Sequence, residues 1–490
     1  MTSASLLAKD WLRGYPRFLG EGLIRLGRDF PQIYVTGGAV RDWLRGESPG
    51  DLDLTLSGDG LDAARSFAAR TGGAFVLLDA DEGVARVVVQ GFSVDFSSFR
   101  EGTGEIVSDL RRRDFSINAL AVAIDPSTGT LAAPYTIIDP LGGVADLARG
   151  LVRAPEAAIF ERDPLRLLRA FRFAATLGLT LESQTAHWLR ERCALISRPA
   201  PERLRHELEL IMASPRAAAA CTAMSEAGLL FGVFPELAPG AGMQQPASHH
   251  LDVFGHNLAA LARMEELLRD PSRYFPSGRD EFAEYLALPG RRELLKWAAL
   301  FHDLGKPATA AHKADGRATF YNHDQAGARI FTELARRLRW SRERTAIVAR
   351  LIELHMYPFH LNNALQKTGI TPRACLRLVK AAGVELPGLF LLAMADSLAA
   401  EGPLKPPGME ESLAQLRQRV EEVCRESVRP VLQGPKLIDG EDLKALGLKP
   451  GAIFREILEG IEQARVEGEV NNREEALAWA QHFADGGANR

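Results

Sequence analysis

A chain of 490 residues is long enough for three or four domains, and its 46% apolar and 25% charged content is ordinary for a folded globular protein. No apolar run approaches the roughly 20 residues of a membrane helix, the first residues lack the basic-then-apolar layout of a signal peptide, and Cys193, Cys221, Cys375 and Cys424 form no Cys-x-x-Cys pair. These features set aside membrane, disulfide-framework and structural-zinc classes and make a cytoplasmic protein the simplest expectation, while a net charge of −4 neither demands nor excludes nucleic acid.

The first 140 residues or so alternate strand-like and helix-like stretches. Gln32-Ile33-Tyr34-Val35 reads as a strand ending at Gly37-Gly38, and Ala39 to Arg45 as a helix. Leu52 to Leu56 alternates with period two, and Ala85 to Val89 and Phe92 to Phe96 read as strands joined by a Gln90-Gly91 turn. After about Pro155 helical periodicity takes over, broken by turns such as Ala238-Pro239-Gly240 and Pro406-Pro407-Gly408. The expected fold class is α+β, a small mixed-sheet head followed by a long all-helical remainder. The expected divisions are 1–145 (head), 146–245 (neck), 246–400 and 401–490 (tail).

The densest chemical signal is Gly37-Gly38-Ala39-Val40-Arg41-Asp42 followed by Asp51-Leu52-Asp53. Two glycines between a strand and a helix let the backbone approach a phosphate, and Arg41 adds a cation. Asp51 and Asp53 leave one face of their strand and can hold a pair of Mg²⁺ ions for in-line phosphoryl transfer, with Asp95 expected as a third acid from a neighbouring strand. Either motif alone is also what a glycine turn or a solvated Asp-x-Asp looks like. A second cluster is Arg111-Arg112-Arg113-Asp114-Phe115-Ser116-Ile117-Asn118. Arg112 or Arg113 can meet a triphosphate, and Asp114 and Asn118 a ribose. A solvated basic turn would not explain Asn118 inside an apolar run, where a buried amide needs partners.

With these motifs the chain resembles the class II tRNA nucleotidyltransferases, the CCA-adding enzymes and the related bacterial poly(A) polymerases. The resemblance continues through Asp139-Pro140-Leu141-Gly142-Gly143 with Asp146-Leu147, Asp163 to Phe173, and Glu202-Arg203 with Glu207-Leu208. It implies a polymerase-beta-like head, a helical neck, tRNA 3′ ends as partner and CTP, with ATP as a further donor. In the neck, Asp163 with Pro164 is a good N-cap pair. Asp163 and Arg166 also share a helical stripe, and an acid beside an arginine matches the acceptor–donor edge of cytosine or adenine while rejecting uracil and guanine. The family's motif has two acids before this arginine, whereas Arg162 stands at the first acid position here. Arg169 and Arg172 add cations for triphosphate and RNA backbone.

A separate set is His256, His302-Asp303 and Asp396, with His323 and His355 as further ligands. Adjacent His and Asp at a helix end, after Ala298 to Phe301, resemble the HD phosphohydrolases. That resemblance implies a divalent transition metal or Mg²⁺ and metal-assisted attack of water on a phosphoester. Glycines in Leu437 to Leu443 and Leu446 to Gly451 resemble the family's tail and can grip an RNA phosphate or simply turn between helices. Two other functions share parts of this pattern: a poly(A) polymerase, and an HD hydrolase whose head only binds RNA. Intact Asp51, Asp53, Asp163 and Arg166 weigh against the second. The link from Arg100 to Asp109 is short, where the family's CCA-adding members carry a mobile loop, so CC addition without the terminal A is the expected product.

Overall fold

The computed structural model describes residues 5–487 apart from 8, 81–82, 100–104 and 315. The segment 100–104 of the short link therefore lies outside the described residues. The chain divides into two compact units, Met1–Ile211 with Ala223–Val233, and Met212–Thr222 with Phe234–Arg490. The first takes in the expected head and most of the stretch expected as neck, of which 212–222 and 234–245 fall in the second unit with 246–490.

The head is a mixed sheet of β1 (Ser5–Leu6), β2 (Ile33–Thr36), β3 (Asp51–Leu56), β4 (Ala74–Asp79), β5 (Val84–Val89), β6 (Phe92–Ser98), β7 (Ala121–Asp125), β8 (Thr130–Leu131) and β9 (Thr136–Ile138). The order is β1-β9-β7-β2-β3-β6-β5-β4, with β8 on β7. Leu52, Leu54 and Leu56 are fully buried on one face of β3, which turns Asp51 and Asp53 to the other. β3 runs parallel to β6 in a register that sets Asp53 opposite Asp95. β5 and β6 form the expected hairpin, with Gln90 (φ 51°) and Gly91 (φ 82°) both left-handed as a two-residue turn requires. The sequence reading contains no counterpart to β4. Its Val76, Leu77 and Leu78 are all exposed at the sheet edge, so no period-two signal was there to read.

Gly37 has φ 65° between β2 and the helix Gly38–Leu44. A Cβ there would lie 3.0 Å from the Arg113 guanidinium and 3.3 Å from Asp53 Oδ2, so only glycine allows this approach. The neck helix Leu165–Leu177 buries Leu165, Leu168, Phe171 and Ala175 and ends at Gly178 in the left-handed conformation. Asp163 is extended ahead of it and accepts from the Leu165 amide at 3.2 Å, the capping role its sequence suggested. Strands do not quite vanish beyond Pro155. Thr180–Leu181 pairs with Leu151–Val152, and Ala311–His312 with Ala318–Thr319, runs too short to show a period.

The second unit is helical. Val253–Arg269, Arg291–Phe301, His323–Arg337, Arg342–Leu354 and Leu386–Ala399 surround the histidines. One helical stretch, Pro372–Ala399, is long and apolar enough on average to cross a membrane, a correction to the reading that no such run exists. Gly383, at φ 57°, breaks it, and nearly every residue of Leu386–Ala399 is buried among neighbouring helices. In the tail, Asp439 caps Gly440–Ala445 with a reciprocal capping box, and Ile438, Leu443, Ile457 and Ile461 build a small core of their own.

Gly143 packs directly on the turn Ser116–Asn118, where an added Cβ would meet the Ser116 carbonyl. Gly143→Ala is expected to destabilise the head by about 1–3 kcal/mol through this overpacking, read as a lowered denaturant midpoint, and Gly72→Ala, with nothing near its Cβ, serves as a strain-only control.

Candidate active site and metal cluster

One cleft of about 560 Å³ in the first unit gathers most of the expected site residues. Gly37, Gly38, Arg41, Asp51, Asp53, Asp95, Arg113, Asp114, Asn118, Asp163, Arg166, Arg169 and Arg172 all line it. Of the two arginines expected as alternatives for the triphosphate, Arg113 lines the cleft and Arg112 does not. The reason is local: Arg112 caps the helix Ile106–Arg111, and Arg113, one residue on, turns inward. Arg113 donates to Thr36 Oγ1 at 3.0 Å, Thr55 Oγ1 at 2.9 Å and Asp109 Oδ2 at 3.1 Å.

At the carboxylate end, burial pushes the Asp53 carboxyl up, against the pull of Arg113, and the charges of Asp95 and Asp51 add to the rise, to about 6. Carboxylates that repel one another on one sheet face suit hard divalent cations, which accept several oxygen ligands. The donor set fits Mg²⁺. Asp95, however, is not a free ligand. Arg86 grips both its oxygens at 2.7 and 2.8 Å across the β5–β6 hairpin. The sequence contained this pair: a two-residue turn at Gln90-Gly91 sets Arg86 opposite Asp95, and Arg86 is the one charge on an apolar strand.

Behind the cleft runs a continuous polar chain. Arg41 holds Asp42 and donates to Asn118 Oδ1 at 2.7 Å, and Asn118 donates to Asp114 Oδ1 at 3.0 Å. Arg169 binds Asp114 Oδ2 through Nε at 2.9 Å and Nη2 at 2.6 Å, and also reaches Glu207 at 3.3 Å. Burial pushes the Asp114 carboxyl up, but Arg169, Asn118 and Arg166 together overcome it and hold Asp114 well below the usual carboxylate range. Arg172 pairs with Glu207 at 2.6 Å and lies 3.8 Å from the Phe173 ring centre. Asn118 thus has the buried partners its position in an apolar run demanded.

Asp163 and Arg166 stand at the other end. Asp163 Oδ2 accepts from Arg203 at 3.0 Å, a partner the sequence reading quoted without a role. The Arg166 Nη1 is buried with no hydrogen-bond partner, as is the Arg172 Nε, which has the Glu207 carboxylate beside it as an ion pair. Burial weakens the hold of Arg166 on its proton, and Asp114 and Asp163 restore part of it. A buried guanidinium donor without an acceptor, facing a cleft, is a group that awaits a ligand. Arg162 and Glu161 turn elsewhere, to Glu156 and Arg192.

The second unit brings His256, His302, Asp303, His323, His355 and Asp396 into one buried cluster. Asp303 bridges it. Its Oδ2 lies 3.4 Å from His302 Nε2 and 3.7 Å from His256 Nε2, and its Oδ1 lies 3.4 Å from His323 and 3.8 Å from His355. Asp396 Oδ1 is 2.9 Å from His256 Nε2. His302, His323 and His355 each donate Nδ1–H to a backbone carbonyl three residues earlier, at 2.9, 2.7 and 2.7 Å. That fixes the tautomer and leaves every Nε2 lone pair aimed inward, as metal-binding histidines require. Burial pushes His302 down, but Asp303 and Asp396 overcome it and raise it to about 10, while burial and the neighbouring His323 and His302 push His355 down to about 3. Side chains competing this strongly for protons fit a pair of divalent cations sharing Asp303. His249, which the sequence analysis did not single out, joins His256 and Asp396 at the edge of the cluster.

Comparisons with known proteins match three stretches of the chain. Residues 33–153 match the family described as "Poly A polymerase head domain", 178–240 "Probable RNA and SrmB- binding site of polymerase A", and 253–401 "HD domain". An A-adding tRNA nucleotidyltransferase of Deinococcus radiodurans is 35% identical over 93% of this chain and 96% of its own length. A CC-adding tRNA nucleotidyltransferase of Thermus thermophilus is 32% identical over 94% and 96%. Among solved structures, the Thermotoga maritima CCA-adding enzyme complexed with tRNA has the same fold, with a TM-score of 0.62 at 21% identity, covering 99% of this chain and 100% of that one. With full-length relatives above 30% identity and a cleft that joins three carboxylates to an arginine-lined neck, the chain belongs to the tRNA nucleotidyltransferase family.

Proposed function

We propose that the chain extends the 3′ end of tRNA without a template, taking CTP, with ATP as a further donor, and releasing pyrophosphate. The observation that carries this reading is the single cleft running from Asp51, Asp53 and Asp95 to Asp163 and Arg166. Asp51, Asp53 and Asp95 would hold Mg²⁺, which when bound neutralises charge on the attacking and leaving oxygens. Arg86 shares Asp95 and tempers its charge. Arg113, Arg169 and Arg172 are anchored by acids and hydroxyls behind them, so their positive charge is presented to a triphosphate with little reorganisation. Arg166 supplies the donor that tests the base edge, and Asp163, steadied by Arg203, supplies the acceptor. The tRNA substrate places this work in the cytoplasm.

Where addition stops is the finer question. The short link between Arg100 and Asp109 favours CC as the product, because re-aiming Asp163 and Arg166 from cytosine to the larger adenine needs a moving part. The 35% identical A-adding relative favours the other reading, addition of A to a tRNA ending in CC. Transcripts ending before CCA and after CC, each given CTP or ATP alone, decide it: extension of the first by two residues supports CC addition, and extension of the second alone supports A addition.

For the HD cluster we propose metal-dependent phosphohydrolase action on RNA-end phosphoesters. Its support is the Asp303-bridged ligand set with every Nε2 turned inward.

Asp51→Ala or Asp53→Ala is expected to cost several kcal/mol of transition-state stabilisation, roughly a thousandfold in rate, with tRNA affinity nearly unchanged. Near-normal incorporation by both variants would falsify the metal assignment. Arg166→Ala is expected to lose about 1–3 kcal/mol of discrimination between CTP and UTP, measured as the ratio of kcat/KM values, while Arg162→Ala leaves that ratio alone. The double variant His302→Ala, Asp303→Ala is expected to lose hydrolysis of a phosphomonoester or cyclic phosphodiester and to keep nucleotide addition. Loss of addition in a still-folded double variant would contradict the separation of the two chemistries.

A further inference from the structure

A second cavity in the first unit, about 700 Å³, has no part in the transfer chemistry. Its described walls are aromatic. Trp11 and Tyr15 come from the segment before the helix Arg17–Leu26, Trp43 from the helix Gly38–Leu44, and Tyr135 from the turn ahead of β9. Lys9 and Arg13 stand exposed on its rim. The cavity shares structure with the catalytic cleft. Trp43 lines one and its neighbour Asp42 the other, and Pro49 lines one while Asp51 lines the other.

Trp43 belongs to the head's core, and Trp11, Tyr15 and Tyr135 pack against it while also facing the cavity. Tyr15 donates its hydroxyl to the Pro49 carbonyl at 3.1 Å and accepts the Trp43 indole N–H at 3.3 Å, so both rings are fixed. Tyr135 is held at φ 53°, a strained conformation for a bulky residue, which a packed core has no need to impose. The Trp11 Nε1 donor is buried with no partner. Lys9 Nζ lies 4.4 Å from the centre of the Trp11 ring, so one face of the indole is covered by a cation and not by apolar core. The one acid in the wall, Asp10, accepts from the Leu12 and Leu131 amides and pairs with Arg13 at 3.4 Å, so the positive charge on the rim beyond that pair is Lys9.

Rigid aromatic planes beside mobile cations are the means by which proteins hold unpaired nucleotides, the base on a ring and the phosphate on the charge. We propose that this cavity is a second nucleotide subsite, taking an unpaired nucleotide of the RNA substrate near the reacting 3′ end, with its base stacked on Trp11 and its phosphate met by Lys9 and Arg13. The flexible stem of Lys9 lets its ammonium leave the indole for the phosphate as the base arrives. The inference rests on the RNA-directed reading above and deepens it, because a grip beside Asp51 would hold the strand whose terminal hydroxyl must reach the carboxylates.

The test uses the full-length protein and a short single-stranded RNA ending in CC with 2-aminopurine near its 3′ end, followed by fluorescence and anisotropy. Trp11→Ala is expected to weaken binding about tenfold and to relieve the quenching, whereas Trp11→Phe, which keeps a ring, retains most of both. Lys9→Glu with Arg13→Glu, which also gives up the Arg13 pairing with Asp10 and the Lys9 contact with Trp11, is expected to weaken binding and to flatten the salt slope by about 0.7 for the one phosphate met. Unchanged affinity in both Trp11→Ala and the double charge reversal overturns the subsite. Loss of the Trp11-dependent quenching when free CTP or ATP is added overturns the RNA strand as occupant. Trp11-dependent RNA binding by a protein that adds no nucleotide to tRNA would support the subsite while sinking the transfer reading.

Discussion

The buried carboxylate of Asp114 ties the sheet of the head to the neck helix. On one side it takes Asn118, and through it Arg41; on the other it takes both inner nitrogens of Arg169, which passes the charge on to Glu207. Removing one member of such a chain leaves an uncompensated buried charge, a loss of about 3–5 kcal/mol. The sign with pH follows. Asp114 titrates below its unfolded value, so its stabilisation is full above about pH 4 and is lost as pH falls through the depressed folded value. The same chain aims the site. Arg41 and Arg169 are satisfied from behind, while Arg166 Nη1 and Arg172 Nε are both buried without a hydrogen-bond partner, Arg172 having the Glu207 carboxylate beside it as an ion pair. On the proposed reading, this cationic wall holds the triphosphate while Arg166 tests the base edge.

The HD cluster is organised differently. Its ligands come from five helical regions far apart in sequence, and what aligns them is the backbone. Each of His302, His323 and His355 sits at a helix end, where a carbonyl three residues back is available to accept Nδ1–H. Lys306 sits against Asp303 and Gln245 and adds a positive charge to the carboxylate that both halves of the cluster share. Gly305 makes this possible, since a Cβ there would meet the His323 carbonyl.

Features with local geometry were legible in the sequence. Asp51 and Asp53 share a face because strands alternate, the β5–β6 hairpin follows from its turn, and His302-Asp303 marks a helix end before any fold is known. What the chain did not disclose depends on tertiary pairing. Nothing near Arg203 says that it will hold Asp163, and nothing near Glu207 says that it will take two arginines. Arg112 and Arg113 are indistinguishable as residues, and only the end of the helix Ile106–Arg111 decides which faces the cleft. β4 was hidden because an exposed edge strand lacks the alternation that reveals a strand. The buried run Leu386–Ala399 escaped because a fully enclosed helix carries no amphipathic stripe.

Arg162 is the chain's one departure from the family's two-acid motif, and its surroundings give the departure a physical meaning. Arg162 is half-exposed and pairs with Glu156, while Glu161 pairs with Arg192, and neither reaches the cleft. A negative charge at 162 would therefore lie outside the base-reading edge, and its natural effect would be on the turn that presents Asp163. Here that turn is secured by other means. The Leu165 amide holds one oxygen of Asp163, and Arg203 holds the other. Each oxygen keeps a lone pair, so the carboxylate is oriented without being exhausted as an acceptor. On the proposed reading, base recognition falls on a pair of unlike rigidity: Asp163, fixed by two partners, and Arg166, fixed by none at its Nη1. A fixed acceptor sets where an exocyclic amine must lie, and the looser guanidinium follows the ring acceptor beside it. Such a pair tolerates a modest change of ring size only as far as Arg166 can move, which ties the choice between cytosine and adenine to the space around one side chain.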